Sequence, residues 1–503
     1  MTYARTVVSN IALCNRWKSF LTNAALILTT LMLMVAAATA QKYTALDSFT
    51  GPDGYNSFTG LIQAANGNLY GTGLNGGAHD GGTIYKITQS GKLTTVYAFC
   101  ALSNCADGGG PWAGLTQATD GNLYGTTAGG GANAGSGGTV YKITPSGVMT
   151  TLYSFCSQSA CADGAEPFAP PVEGWDGNFY GTTIAGGANP NGSCNINGQN
   201  GCGTIYKITP GGTFTTLHTF CSNGDCTDGI YPWPGLVRGN DGNFYGGAAG
   251  GGVNGQGTIF KITPGGTFTT VHQFTGADGS SPQQPMIQAS DGNLYGATNG
   301  GGSHNSGTLF KMTPSGTLTT LYNFCSLSGC TDGIGPRGAL VQANDGNFYG
   351  TALYGGAYDA GTIFQFTPTG TLTTLYSFCP NDSCAGGANP YPALVQDTNG
   401  GLYGTTAFGG AVGAGTIFSF YTGLGPFVSF VSNLGKVGRP IGILGQRFTG
   451  TTGVSFNGTP ASFTVKSNTF LTATVPEGAT TGYVTVTTPS GTLTSNVQFQ
   501  VRP

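Results

Sequence analysis

The sequence predicts an all-β protein: a seven-bladed β-propeller closed by an N-terminal strand, followed by a smaller β-sandwich. Three observations carry this. The motif Asp-Gly-Asn-Leu/Phe-Tyr-Gly occurs at 120–125, 176–181, 241–246, 291–296 and 345–350, with looser copies at 66–71 and 399–404. Its tyrosines, Tyr70, Tyr124, Tyr180, Tyr245, Tyr295, Tyr349 and Tyr403, fall 50 to 65 residues apart, and each interval has room for four short strands. The last copy is one strand short, while a spare strand of the right pattern precedes the first.

The chain opens with a secretory signal pattern over residues 1–40. Arg5, Arg16 and Lys18 precede an apolar run at 24–37, and Ala38-Thr39-Ala40 forms a small-residue cleavage site before the polar Gln41. The competing reading is an uncleaved anchor, since 21–40 approaches spanning length. Cleavage is the expectation, with no membrane insertion afterwards. It removes three of seventeen cations, leaving fourteen against twenty anions and a net charge of −6. No basic stripe is left for nucleic acid or an anionic membrane. With 7% charged residues, 11% aromatics and 90 glycines among 503 residues, the chain is too apolar for disorder and suits strands joined by tight turns.

Twelve cysteines follow residue 40, and they come in close pairs. Cys100/Cys105, Cys156/Cys161, Cys221/Cys226, Cys325/Cys330 and Cys379/Cys384 share one spacing, and Cys194/Cys202 is the sixth pair. Where a repeat lacks one cysteine it lacks both, as at 49–53 and 274–278. Paired loss points to disulfides and an oxidising compartment. Zinc is the rival reading, but it needs further ligands converging on each pair, and the chain has four histidines.

Residues 113–155 illustrate one unit. Strand a is expected at 113–118, a hairpin turn at 119–122, strand b at 123–127, and a Gly/Ala/Asn-rich loop to 137. Strand c follows at 139–144, a turn at 145–147 and strand d at 148–155. The seventh repeat stops after strand c at 415–420, and residues 43–49 match the d pattern. Using that strand to complete the last blade joins the ends and removes an exposed edge. A linear β-solenoid is the alternative, with a shorter period and capped ends.

The recurring Gly-Thr-Ile-Tyr/Phe-Lys-Ile-Thr-Pro and Thr-Leu-Thr-Thr-Leu-Tyr-Ser-Phe segments, with the hexapeptide, resemble the GloVer tandem repeats of secreted bacterial proteins over residues 43–420. That resemblance implies export and surface or extracellular residence, with no established reaction or ligand. Members often carry C-terminal anchors. This chain ends Phe499-Gln500-Val501-Arg502-Pro503, which favours release or attachment through a partner. The propeller is expected to span 41–422. From residue 425 the composition shifts to Val, Ser and Thr without cysteine, and seven short strands are expected at 427–431, 441–444, 453–456, 461–465, 470–475, 482–487 and 496–501. Residues 445–448, 454–459 and 475–482 resemble an IPT/TIG immunoglobulin-like domain, a type used as spacer or contact module, so the second domain is placed at 425–503.

Function is expected on the face that carries the b–c loops, the cysteine loops and the Asp-Gly-x-x-Pro entries to strand a, because that face varies while the opposite one repeats. The residue after each such proline is Trp112, Phe168, Trp233, Gln283, Arg337 or Tyr391, with Phe58 equivalent in the first repeat. Aromatics around a central opening can stack on sugars; packing between blades is the plainer role. Asp53, Asp107, Asp163, Asp228, Asp278 and Asp332 form a second series, read as caps of their own turns rather than calcium ligands. Glu occurs at 166, 173 and 477 and His at 79, 218, 272 and 304; His79 and His304 fall in b–c loops, while His218 and His272 fall in d strands and are expected to face outward. No nucleophile-elbow or His-x-x-x-His motif is present, so no catalytic residue, metal or cofactor is assigned. The pattern is also distantly similar to streptogramin lyase-like propellers, which implies a metal-dependent lyase or hydrolase as an alternative, with His79 and Glu166 or Glu173 as its pair. The leading expectation is a secreted or surface binding protein for a glycan or a surface protein; a ligand-free envelope protein is the third. Oligomeric state is not legible.

Overall fold

The computed structural model describes residues 41–133, 137–188, 194–196, 198–381 and 383–502. The expected signal segment, with Cys14, lies outside them. Seven four-stranded antiparallel sheets follow one another along the chain. The first consists of Ile62–Gln63, Leu69–Gly73, Thr83–Ile87 and Leu93–Ala98, strands a to d in order. The seventh takes Val395–Gln396, Leu402–Thr405 and Thr416–Tyr421 from the end of the repeats and Lys42–Ser48 from the start. The latter two run antiparallel, with Tyr43 opposite Phe420 and Ser48 opposite Thr416. Tyr43 then stacks on Tyr376 of the sixth sheet with ring centroids 4.3 Å apart.

The repeated motif is built for backbone geometry. Asp120 accepts the Asn122 amide at 2.9 Å through one oxygen, and the Asn122 side chain and Tyr124 hydroxyl through the other. Gly121 supplies φ +84° between them. The final glycine has a different role. A Cβ at Gly125 would lie 2.3 Å from the Tyr141 hydroxyl, and one at Gly246 would lie 2.4 Å from Cζ of Phe260. Each strand c thus brings the far end of a buried aromatic ring onto a strand-b glycine, inside the sheet's core.

Strand a is shorter than the sequence suggested. In the second sheet it is Thr116–Gln117, not 113–118. The preceding segment bonds sideways instead of into its own ladder. Thr72 Oγ1 donates to the Ala113 carbonyl at 2.9 Å, Thr126 to Pro167, Thr182 to Pro232, Thr351 to Pro392 and Thr405 to Ser57. Every donor is a strand-b threonine of the preceding sheet, and the last bond joins the seventh sheet to the first. A second series runs beside it. Side chains of Gln117, Glu173, Gln288, Gln342, Gln396 and Gln63 each accept a backbone amide from the turn of the sheet before, at 2.7–3.1 Å. These bonds satisfy turn amides that a two-residue strand leaves free.

The seventh position of that series is Arg238, which cannot accept. It donates to the Glu173 carbonyl at 2.8 Å and to Asn433 Oδ1 at 2.9 Å. Asn433 belongs to the C-terminal unit, two four-stranded sheets packed around Ile443, Leu471, Val454, Phe456, Val484 and Val486, with a parallel pair Leu434–Lys436/Gln500–Arg502. Expected strands recur at Pro440–Leu444, Gly453–Phe456, Phe463–Val465, Phe470–Thr474 and Val484–Thr488. Gly491–Thr494 was not anticipated. This sandwich does not hang free on a linker. Its residues 429–433 and Val497 close a cavity whose other wall is the strand-a ends of the second to fifth sheets. Arg502 lies over the Trp175 ring, 3.2 Å from its centroid, and donates to the Asn240 carbonyl.

Candidate ligand-binding site

On the face away from the sandwich, the loops after strands b and d pair with each other in every repeat, as in Gly109 with Gly129 and Ala388 with Phe408. Both loop types therefore share one face. The cysteines are joined there as disulfides, Cys100–Cys105, Cys156–Cys161, Cys194–Cys202, Cys221–Cys226, Cys325–Cys330 and Cys379–Cys384. The sulfurs of Cys202, Cys221 and Cys226 lie within 4.8 Å of one another, but the two disulfides already occupy them.

The residues after the entry prolines converge. The Pro111 peptide turns sharply, with the Trp112 amide bonded to the Gly110 carbonyl at 2.9 Å, and the Trp233 amide to Tyr231 at 2.8 Å. That turn aims each side chain at the common axis. Phe58 stacks on Trp112 at 4.8 Å between centroids, Trp112 on Phe168 at 5.2 Å, and Phe168 meets Trp233 edge-on at 5.0 Å. Tyr391 closes on Phe58 at 4.9 Å, and Arg337 donates from NH1 to the Tyr391 hydroxyl at 2.6 Å. These side chains are half-buried, and all but Arg337 line, with Gln283, a cavity of about 230 Å³ floored by Leu61, Ile62 and Leu115. The packing role and the opening therefore coexist: the rings pack on one another as a collar, with Trp112 stacked between Phe58 and Phe168, and the same residues line the cavity.

The aspartate series serves the cysteine loops. Asp107 accepts the amides of Ala101 and Leu102 at 3.0 Å and the Tyr97 hydroxyl at 2.8 Å. Asp163 and Asp332 repeat this arrangement. Burial and the Asp332 carboxylate push the Tyr322 hydroxyl up to about 12, which keeps it a donor. In the fourth and fifth members the tyrosine is replaced: His218 Nε2 meets Asp228, and His272 Nε2 meets Asp278, each at 2.9 Å. These histidines do not face outward, as the strand pattern implied. They are half-buried, and His218 stacks on Phe268 at 3.9 Å. The His79–Glu173 pairing also fails: His79 is exposed in the loop after strand b, whereas Glu173 sits at the opposite end of its sheet and accepts from Thr119.

Sequence reasoning missed two junctions, both marked by departures from the repeat. One is Arg238 with Trp175 and Arg502, where a glutamine position has become cationic. The other is Asp397, which stands where the other repeats have alanine or glycine. It is fully buried, and it accepts Gln89 Nε2 at 2.8 Å and the Asn399 amide at 2.9 Å through Oδ1, while Oδ2 has no hydrogen-bond partner among the described residues. Gln89 itself replaces the proline of the Ile-Thr-Pro segments in other repeats. The neighbouring Thr398 hydroxyl accepts Gln63 from the first sheet and Gln446 from the sandwich. Burial pushes the Asp397 carboxyl up to about 6 despite those hydrogen bonds.

Seven meander sheets built from one repeat, with a loop face carrying a shared aromatic collar, define a propeller-like all-β repeat protein. The chain belongs to the Gloeobacter/Verrucomicrobia repeat family, whose model matches residues 34–194, 192–331 and 325–487. No curated protein matches it in sequence. Among solved structures it is similar to the extracellular domain of a provisionally assigned hybrid two-component system of B. thetaiotaomicron, at 10% identity and a TM-score of 0.49, covering 92% of this chain and 60% of that one. A provisionally assigned 6-phosphogluconolactonase of Bacteroides fragilis has 15% identity and a TM-score of 0.43, covering 71% of this chain and 89% of that one. These scores assign no activity. Among the described residues no helix is long and apolar enough to cross a membrane.

Proposed function

We propose that the protein is a secreted or cell-surface carbohydrate-binding protein: a closed seven-bladed propeller whose aromatic collar holds the sugar, with an IPT/TIG-type immunoglobulin-like domain at 425–503. The collar carries the reading. Phe58, Trp112, Phe168, Trp233 and Tyr391 line a cavity whose lining bears no charged residue. Such a site suits the apolar faces of a sugar ring, with the amides of Gln283 and Gln284 to meet hydroxyls. Six disulfides support export into an oxidising compartment, and they fix the loops behind the collar so that little order is lost on binding. The Asp107, Asp163, Asp228, Asp278 and Asp332 carboxylates of this face cap turns, which supports a binding role over a catalytic one for them. A glycan array probed with the mature protein and with the Trp112→Ala/Trp233→Ala variant tests the reading. Saturable binding that the variant weakens at least tenfold is expected, about 1.4 kcal/mol; undiminished binding by a folded variant overturns the site.

A further inference from the structure

We propose that the cavity takes the terminal residue of a glycan chain, and that this residue carries a carboxylate. This rests on the carbohydrate reading above.

The terminal assignment comes from what lies behind the cavity. Leu61, Ile62 and Leu115 bound it, and on the opposite face residues 429–433 of the sandwich lie against the strand-a ends of the second to fifth sheets. Arg238 and Arg502 bond the sandwich in that position. A polysaccharide cannot thread through a floored cavity. It can insert an end. The outer cavity, about 230 Å³, is smaller than the roughly 300–1,000 Å³ of drug-sized pockets, and it has room for one sugar ring.

The carboxylate comes from Arg337. It is the one charged member of the seven collar positions, and it is held by neutral groups alone. Its Nε donates to Asn299 Oδ1 at 3.0 Å, NH1 to the Tyr391 hydroxyl, and its guanidinium lies 5.1 Å from the Tyr391 ring centroid. No acidic side chain forms an ion pair with it among the described residues. The cation is thus fixed in orientation against Tyr391, a lining residue, while lying outside the lining itself; it is half-buried, and no acidic side chain among the described residues answers its charge. A planar anion on an inserted sugar would complete it through charge-assisted hydrogen bonds from the remaining N–H groups. A single cation at the collar of a chain of net charge −3 favours one acidic sugar on an otherwise neutral chain over a dense polyanion.

The test uses an array of neutral oligosaccharides and the same oligosaccharides bearing one uronic acid, either terminal or internal, plus terminally sulfated versions. The expected result is terminal-uronate binding at least tenfold tighter than neutral or internal-uronate binding, weakened by salt. Arg337→Gln should erase that preference, so that a folded variant binds acidic and neutral chains alike, and Arg337→Lys should restore part of it. Equal binding of neutral and acidic chains, or a preference that survives Arg337→Gln, overturns the carboxylate. Equal binding of internal uronates overturns the terminal assignment, and tighter binding of sulfated chains overturns the choice of anion. If Trp112→Ala/Trp233→Ala abolishes binding while Arg337→Gln does nothing, the carbohydrate reading stands and this inference falls. If no oligosaccharide binds, both fall.

Discussion

Asp397→Asn should stabilise the protein at neutral pH and remove much of its pH dependence. Asp397 is sealed at the meeting point of the first sheet, the seventh sheet and the sandwich, with one oxygen unpaired. Burial raises its carboxyl from 3.8 to about 6, against the pull of the Asn399 amide and Gln89. A raised folded value means that the folded state holds the proton more tightly than the unfolded one. Stability from this group is therefore full below about pH 4 and is lost as pH rises through about 6. The shift of roughly two units corresponds to ~3 kcal/mol at 1.36 kcal/mol per unit. Asparagine keeps the shape and the Oδ1 acceptor but never ionises. Urea unfolding at pH 4 and pH 8 reads the effect: near-identical midpoints at pH 4, with the variant more stable by ~3 kcal/mol at pH 8. Asp176 and Asp291 do not interfere. Burial would raise them, but hydrogen bonds led by Lys207 and Lys311 hold both at about 2, so their contribution is lost only as pH falls through that value. If wild type and variant lose stability in parallel between pH 4 and pH 8, the reasoning is wrong.

Three further outcomes follow from packing and hydrogen bonding. Gly246→Ala should cost about 1–3 kcal/mol in chemical unfolding, since its Cβ would sit 2.4 Å from the Phe260 ring; an unchanged midpoint would contradict the ring-on-glycine packing. Tyr206→Phe should be neutral or raise Tm, because the Tyr206 hydroxyl is buried without a partner, whereas Tyr85→Phe should lower it by breaking the 2.9 Å bond to Ser57. Arg238→Ala with Arg502→Ala should release the sandwich, read as new protease cleavage within residues 421–428; resistance equal to wild type would mean that other contacts hold it.

The parts of the fold that repeat were readable from sequence because each is local. Asp120 and Gly121 encode a turn by their own chemistry, and alternating residues such as Thr150, Leu152 and Ser154 encode a strand by period. Strand a was overextended for the opposite reason. The bond that draws Ala113 out of its ladder comes from Thr72, forty-one residues earlier, and no local pattern announces it. The collar positions were legible as variation at a fixed place, but their mutual stacking was not, since it depends on turns such as Gly110–Trp112 that aim them inward. Asp397 with Gln89, and Arg238 with Trp175, were printed in the chain as departures from the repeat. Their meaning needed the sheets side by side.

The most direct test is a tryptophan-fluorescence titration of the Trp175→Phe variant of residues 41–503, which leaves Trp112 and Trp233 as reporters. Adding an array-selected oligosaccharide should change the emission saturably, with the same Kd as calorimetry gives for wild type. Calorimetric binding with unchanged emission would place the sugar elsewhere and contradict the collar as the binding site.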